Sequence, residues 1–222
     1  MKLDPRTARA REAMVLAAER LFGERGIEAV SLREVGAAAG QRNNSAAQYH
    51  FGSREGLVDA IFEYRMGAID LRRRELLTEL DASGRGHNRR ALLEAVLLPL
   101  AAELGAADGV SWYARFLQQV AFEPGFDVFA GPLREVTGAL TVVSERLLAQ
   151  LTDVPAELRG QRVRLTFRYF VHSLADRERA LGAGTATSAT TPLLVSDLVD
   201  TGEALLTAPV SPDTALHLRG NR

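Results

Sequence analysis

The stretch SLREVGAAAGQRNNSAAQYHF, residues 31–51, constrains this chain more than any other. Ser31 is a good N-cap, since its hydroxyl can accept a bond from an orphan N–H at a helix start. Glu34, three residues on, completes a capping box. Leu32, Val35 and Ala39 then fall at i, i+3 and i+7, one buried stripe on a short helix. Gly40 closes that helix, because a helix C-terminus commonly needs a residue at positive φ. Asn43 or Asn44 caps a second short helix that runs to about Phe51. Two short helices joined by a tight turn make a helix-turn-helix.

The second of these helices has an unusual surface. Asn43, Asn44, Ser45, Gln48, Tyr49 and His50 supply polar or amphipathic groups and no acid. From Val35 to Arg54 there is no carboxylate, while Arg42 and Arg54 supply positive charge. A phosphate-lined groove suits such a surface: amides pair with adenine edges, and carboxylates would be repelled. A solvated surface helix with a chance gap in its acids has the same composition.

On either side the periodicity is helical. Met14, Ala17, Ala18, Leu21 and Phe22 form an amphipathic stripe on a first helix from about Thr7 to Arg25, which Gly26 closes. These residues are core, with Phe22 packing under the two short helices. Ser53 caps a long fourth helix, with Glu55 in its first turn. Leu57, Ile61, Tyr64, Ala68 and Leu71 give it an apolar seam, and Arg72, Arg73 and Arg74 read as a solvated face.

Composition excludes several function classes. With no cysteine among 222 residues, disulfides, thiolate chemistry and Cys-based zinc sites are ruled out. The histidines at 50, 87, 172 and 217 are scattered. His172 and Asp176, at i and i+4, read as a hydrogen-bonded surface or interface pair. No Gly-rich phosphate loop has the right context. The chain therefore reads as no enzyme, with no metal site and no cofactor. No run approaches the roughly 18 apolar residues of a membrane helix, and the N-terminus has no signal-like core; no membrane partner and a cytoplasmic location are expected. Charge is uneven: residues 1–74 carry 13 Lys+Arg against 10 Asp+Glu, and the remainder 14 against 18. A small basic domain on an acidic body is the direction expected of a DNA binder.

Residues from about Arg11 to Tyr64 resemble the N-terminal DNA-binding domain of the TetR/AcrR family of bacterial transcriptional repressors. The likeness rests on Ala17-Ala18 with Leu21-Phe22, on Gly26, and on Ser31-Leu32 with Val35 and Ala39-Gly40. It continues in Tyr49-His50-Phe51, then Ser53-Arg54-Glu55 and Leu57. Between Gly40 and Tyr49 the chain holds one residue more than the common pattern, with Gln41 or Arg42 near the usual apolar turn residue. The resemblance implies that Ser31, Arg33, Tyr49, His50 and Arg54 contact phosphates. It makes Asn43, Asn44, Ser45 and Gln48 the candidates for base edges, with Arg42 adding charge to the same surface.

Beyond residue 81 the pattern stays helical. Residues 81–88 read as a linker, Leu92–Leu104 as an apolar helix kinked at Pro99, and Glu123-Pro124-Gly125 as a turn. Val136, Leu140, Val143, Leu147 and Leu151 form the next stripe, followed by helices from about Ala156 to Leu181 and from Leu193 to Leu206. Trp112, Tyr113, Phe116 and Phe122, with Phe167 and Phe170, concentrate rings in the body. Rings at this density are more often core than binding site. In the family the body encloses an effector pocket, so these are the candidates to line it. Leu165, Tyr169, Val195 and Val199 form a further apolar strip on the last two long helices, beyond what one packed face requires. By resemblance that strip is a dimer interface.

The expected architecture is all-α. A helix-turn-helix DNA-binding domain spans 1–60, a larger helical effector-binding and dimerisation domain spans 61–208, and 209–222 form a disordered tail. The expected function is a ligand-responsive repressor, a homodimer on a pseudo-palindromic double-stranded DNA operator, released by a small hydrophobic effector. A helical ligand-binding or scaffold protein without specific DNA binding is the alternative.

Overall fold

The computed structural model describes residues 4–43, 45–105, 111–121, 137–185 and 190–219. Among these the regular elements are all helical. Helix α1 (Pro5–Arg25) has Pro at its first position, where a missing N–H is harmless. Its buried face is Met14, Val15, Ala18, Leu21 and Phe22. Helix α2 (Leu32–Ala38) begins with both halves of the capping box. Glu34 N–H donates to Ser31 Oγ at 3.3 Å, and Ser31 N–H donates to Glu34 Oε2 at 2.9 Å.

The turn after α2 has a definite geometry. Gly40 sits at φ +69°, Gly40 N–H donates to the Ala37 carbonyl at 3.0 Å, and Gln41 N–H reaches back to the Gly36 carbonyl at 2.9 Å. This is the paired 5→2 and 6→1 closure that a left-handed residue makes possible. Gln41 thus occupies the place where an apolar residue usually packs, and its amide donates to the Ala39 carbonyl at 3.2 Å instead. Ser45, not an asparagine, stands at the N-cap position of helix α3 (Ala46–Phe51), and its side chain makes no capping bond. Asn43 acts one step earlier: its Oδ1 accepts from Ser45 N–H at 3.0 Å and Ser45 Oγ at 2.8 Å, an Asx turn that precedes the helix. Asn44 lies outside the described residues.

Helix α4 (Arg54–Ala82) starts at Ser53, whose hydroxyl accepts from Gly56 N–H at 3.1 Å, and it is 29 residues long. It runs unbroken through the domain boundary expected at 60/61. Its buried face departs from the expected seam. Leu57 and Ile61 are core, but Tyr64 and Leu71 are exposed, and the stripe continues as Met66, Ile69, Asp70, Arg73, Leu77 and Leu80. Arg73 is therefore wholly buried and not part of a solvated face. Arg74 reaches back to the buried Asp70 at 3.0 Å, and Arg72 pairs with Glu75 at 2.8 Å.

The body follows. Helix α5 (Arg89–Ala102) is capped by Asn88, whose side chain accepts from Ala91 N–H at 2.8 Å, and it carries Pro99 inside it. A 3-10 turn covers Glu103–Gly105. Then come α6 (Tyr113–Val120), α7 (Gly138–Gln150), α8 (Ala156–Gly182) and α9 (Thr191–Thr207). Val136, Phe122 and the turn expected at 123–125 lie outside the described residues. Helix α9 packs on both α5 and α8, which buries Val195 and Val199 within the protomer. Those two residues leave the outer strip, while Leu165, Leu193 and Leu205 stay exposed. Pro212–Arg219 forms a short helix, α10, where a disordered tail is expected. Pro212 opens it and Ser211 Oγ accepts from Thr214 N–H at 3.2 Å.

Helix α6 holds the two halves together, since it packs on α1 as well as α8. The Phe22 ring stacks on Phe116 of α6, centroids 6.4 Å apart, and Phe116 also meets Phe62 of α4 at 5.4 Å. Gly23 permits the approach: a Cβ there would stand 3.1 Å from the Trp112 carbonyl oxygen and 3.3 Å from Arg115 Cβ. Arg65 adds a polar tie, with Nε and Nη2 on the buried Glu19 of α1 at 2.7 and 2.9 Å and Nη1 on Glu103 at 3.0 Å. Such two-pronged, half-buried pairs hold geometry better than exposed ones.

Candidate nucleic-acid interface and effector cavity

Helix α3 turns Ala47 and Phe51 inward at i and i+4. The opposite face, with Asn43, Ser45, Gln48 and Tyr49, is exposed, Tyr49 by 85%. Arg33 on α2 and Arg42 in the turn are exposed beside it, and His50 is half-buried with its ring edge-on to Tyr49 at 5.3 Å. Among the described DNA-contact candidates, Ser31, Arg33, Arg42, Asn43, Ser45, Gln48 and Tyr49 are exposed. Several already hold local partners. Ser31 Oγ donates to Glu34 at 2.8 Å, the Gln48 amide donates to the Gly52 carbonyl, and Arg54 pairs with Glu28 at 2.8 Å. Glu34 is held down to about 2 by its bonds from the Ser31 backbone and hydroxyl and from Arg25, so the capping box keeps its negative member at neutral pH.

Between α4, α5, α6, α7 and α8 lies a cavity of about 330 Å³. That is the small end of the range for small-molecule sites. Phe62 and Met66 come from α4, Val96 and Leu100 from α5, Leu117 from α6, Leu140 from α7, and Phe167, Phe170 and Val171 from α8. Arg73, Arg164 and Arg168 also line it, and among the described residues no carboxylate does. Of the rings proposed from sequence, Phe167 and Phe170 line the cavity, Trp112, Tyr113 and Phe116 have other neighbours, and Phe122 lies outside the described residues. Trp112 lies under the Arg115 guanidinium, 3.5 Å from the ring centroid. Tyr113 is buried beside Phe116 at 6.0 Å, its hydroxyl without a partner, and burial pushes that hydroxyl well above its usual range. Phe116 is the wedge between Phe22 and Phe62.

Sequence reading named only Phe167 and Phe170 of this lining, and Arg73 and Phe62 are among the residues it missed. Both signals were present, because residues 62, 66, 69, 73 and 77 recur at helical spacing; only the charge of Arg73 argued against burial. Nearby, Glu178 of α8 accepts from the Ala114 and Arg115 backbone N–H groups at 3.2 and 3.0 Å and from Arg115 Nε at 2.9 Å. This carboxylate caps α6 from another helix. His172 meets Gln118 at 2.7 Å, and Asp176 pairs with Arg179, so the expected His172–Asp176 pair gives way to two others.

A helix-turn-helix with an exposed, acid-free reading face, fused through α4 to a cavity-bearing helical body, defines a helix-turn-helix regulator. Residues 15–61 match the family model described as bacterial regulatory proteins, tetR family. That match covers the helix-turn-helix and the helices flanking it, so the N-terminal part of the chain is similar to the DNA-binding domain of tetR-family regulatory proteins. Similar solved structures include a TetR-family regulator from Streptomyces coelicolor A3, 22% identical, with 93% of this chain and 99% of that chain covered at a TM-score of 0.41. Another is a putative TetR-family transcriptional regulator from Rhodococcus sp., 18% identical, with 90% and 100% covered at a TM-score of 0.41. No curated protein matches. Among the described residues no helix is long and apolar enough to cross a membrane.

Proposed function

We propose that the chain is a ligand-responsive repressor that binds a pseudo-palindromic operator as a homodimer and is released by a small, largely hydrophobic effector. One observation carries the reading: Phe62 lines the cavity and touches Phe116, which in turn stacks on Phe22 of the DNA-binding half. A contiguous packed route of this kind lets cavity occupancy and reading-head position bias one another. The ligand must bind the DNA-competent and released states unequally, or it shifts nothing. The exposed strip of Leu165 on α8 and Leu205 on α9, beside Tyr169 and Ala204, supports pairing of two copies. Two-fold symmetry then calls for two inverted half-sites.

The test is selection from a randomised duplex library with the purified protein. Enrichment of an inverted repeat, with affinity that falls steeply with salt, is the expected outcome. Salt-insensitive binding without enrichment would remove the DNA assignment.

A further inference from the structure

Arg73 is the least comfortable charge in the protein. It is wholly buried, and its Nε has no hydrogen-bond partner. Its remaining contacts are long: Nη1 to Met66 Sδ at 3.8 Å and Nη2 to the Val96 carbonyl at 3.4 Å. The nearest acid on its own helix, Asp70, is engaged elsewhere. The Asp70 carboxylate accepts from Arg74 at 3.0 Å and from Ala139 N–H at 3.1 Å, and it makes no ion pair with Arg73. Burial brings the Arg73 guanidinium down to about 10, which still leaves it charged at neutral pH. A buried guanidinium costs several kcal/mol to desolvate unless a counter-charge and hydrogen bonds offset the loss. Among the described residues the cavity lining supplies no carboxylate, only those two long contacts.

We propose that this cavity takes a carboxylic acid with an apolar body, its carboxylate on Arg73 and its hydrocarbon among Phe62, Leu140, Phe167 and Phe170. This rests on the reading of the cavity as the effector site and names the effector's chemical class. The unpartnered Nε edge of the Arg73 guanidinium has two parallel donors, which match the two oxygens of a planar carboxylate. One buried cation matches one negative charge. A dianionic phosphate would bring a second charge among apolar walls, and a neutral alcohol would leave Arg73 uncompensated. Arg164 and Arg168, exposed and one turn apart on α8, place further positive charge at the rim and favour entry of an anion.

The experiment is calorimetric titration of the DNA-free protein with matched acid and alcohol pairs: octanoate and octanol, decanoate and decanol, 4-phenylbutyrate and 4-phenylbutanol. At least one acid is expected to bind tenfold or more tightly than its alcohol. Arg73→Met, apolar and of similar length, is expected to fold with an unchanged or raised melting temperature and to erase that preference. Arg73→Lys keeps a charge without the fork, so it is expected to retain only part of the preference. It also serves as the readout if the Met variant does not fold. A purely structural Arg73 would lower the melting temperature of both variants and leave the acid-to-alcohol ratio where it was, which overturns the proposal. Equal or tighter binding of every alcohol, or no acid binding at all, overturns it too. Fluorescence anisotropy with the selected operator separates the two readings. Arg73-dependent acid binding without any change in operator affinity keeps this inference and removes ligand-controlled release. Alcohol binding that does weaken the operator complex does the reverse.

Discussion

The Arg54 guanidinium donates to Glu28 at 2.8 Å, and Glu28 is 76% exposed, so the pair sits where a phosphate can compete for it. Every DNA sequence offers that phosphate. Arg54→Ala is therefore expected to weaken all sequences about equally and to make the salt slope shallower by about one unit. Gln48 has two donors and an acceptor on the exposed face of α3, and its amide must leave the Gly52 carbonyl to pair with a base. Gln48→Ala is expected to flatten preference at one position of each half-site, where a bidentate pair is worth about 1–3 kcal/mol of discrimination. Competition binding against single-base operator variants checks both. A position-specific loss from Arg54→Ala with a uniform loss from Gln48→Ala would reverse the roles. Glu34 gives a second prediction at this scale. Its carboxyl, at about 2 in the fold and near 4.5 without its partners, stabilises the α2 start fully above 4.5. That contribution fades as pH falls toward 2. Ser31→Ala, which removes the hydroxyl bond, is expected to move Glu34 upward, as a carboxyl NMR titration would read. Single residues were only partly legible in the sequence: the capping box is stated outright by Ser31 and Glu34, whereas the α3 start at Ser45 is set by the turn that Asn43 makes over it.

At the scale of elements, stripes of apolar residues gave α1, α2 and the first half of α4, because there the buried positions carry no charge except Glu19. The pattern failed where a buried position carries charge, as at Asp70 and Arg73, and where two neighbours compete for one face. Helix α9 is the second case: its hydrophobic excess is spent on α5 as well as α8, which sequence alone does not reveal. The proposed dimer surface therefore shifts to Leu165 and Leu205. Leu165→Asp with Leu205→Asp is expected to halve the mass in light scattering while leaving the melting temperature nearly unchanged. Val195→Asp, by contrast, places a charge in the protomer's own core and is expected to unfold it. Light scattering and thermal melts on the two variants decide between the surfaces. The α1–α6 crossing gives its own test. Gly23→Val inserts a branched side chain where 3.1 Å is already available only to hydrogen, and overpacking of that kind costs about 1–3 kcal/mol. A lower denaturation midpoint is expected; an unchanged one would mean that the crossing yields freely.

For the molecule as a whole, the order of the parts was legible from residues 31–57 and the scattered turns, but their attachment was not. No local pattern says that Phe22 belongs to Phe116, or that Arg65 joins Glu19 to Glu103. These contacts cross the expected division at residue 60, and α4 runs through it without a break. That continuity has a mechanical consequence. Arg54 opens α4 and Arg73 stands nineteen residues on, a separation of roughly 28 Å at 1.5 Å per residue. A rod of that length magnifies angle into distance. A tilt of about 5° pivoting at Arg73 swings Arg54 by roughly 2.5 Å, the scale of a whole hydrogen bond to a phosphate. The fulcrum is then the buried arginine itself, and the two copies of the rod in a dimer would add their swings across the gap between half-sites.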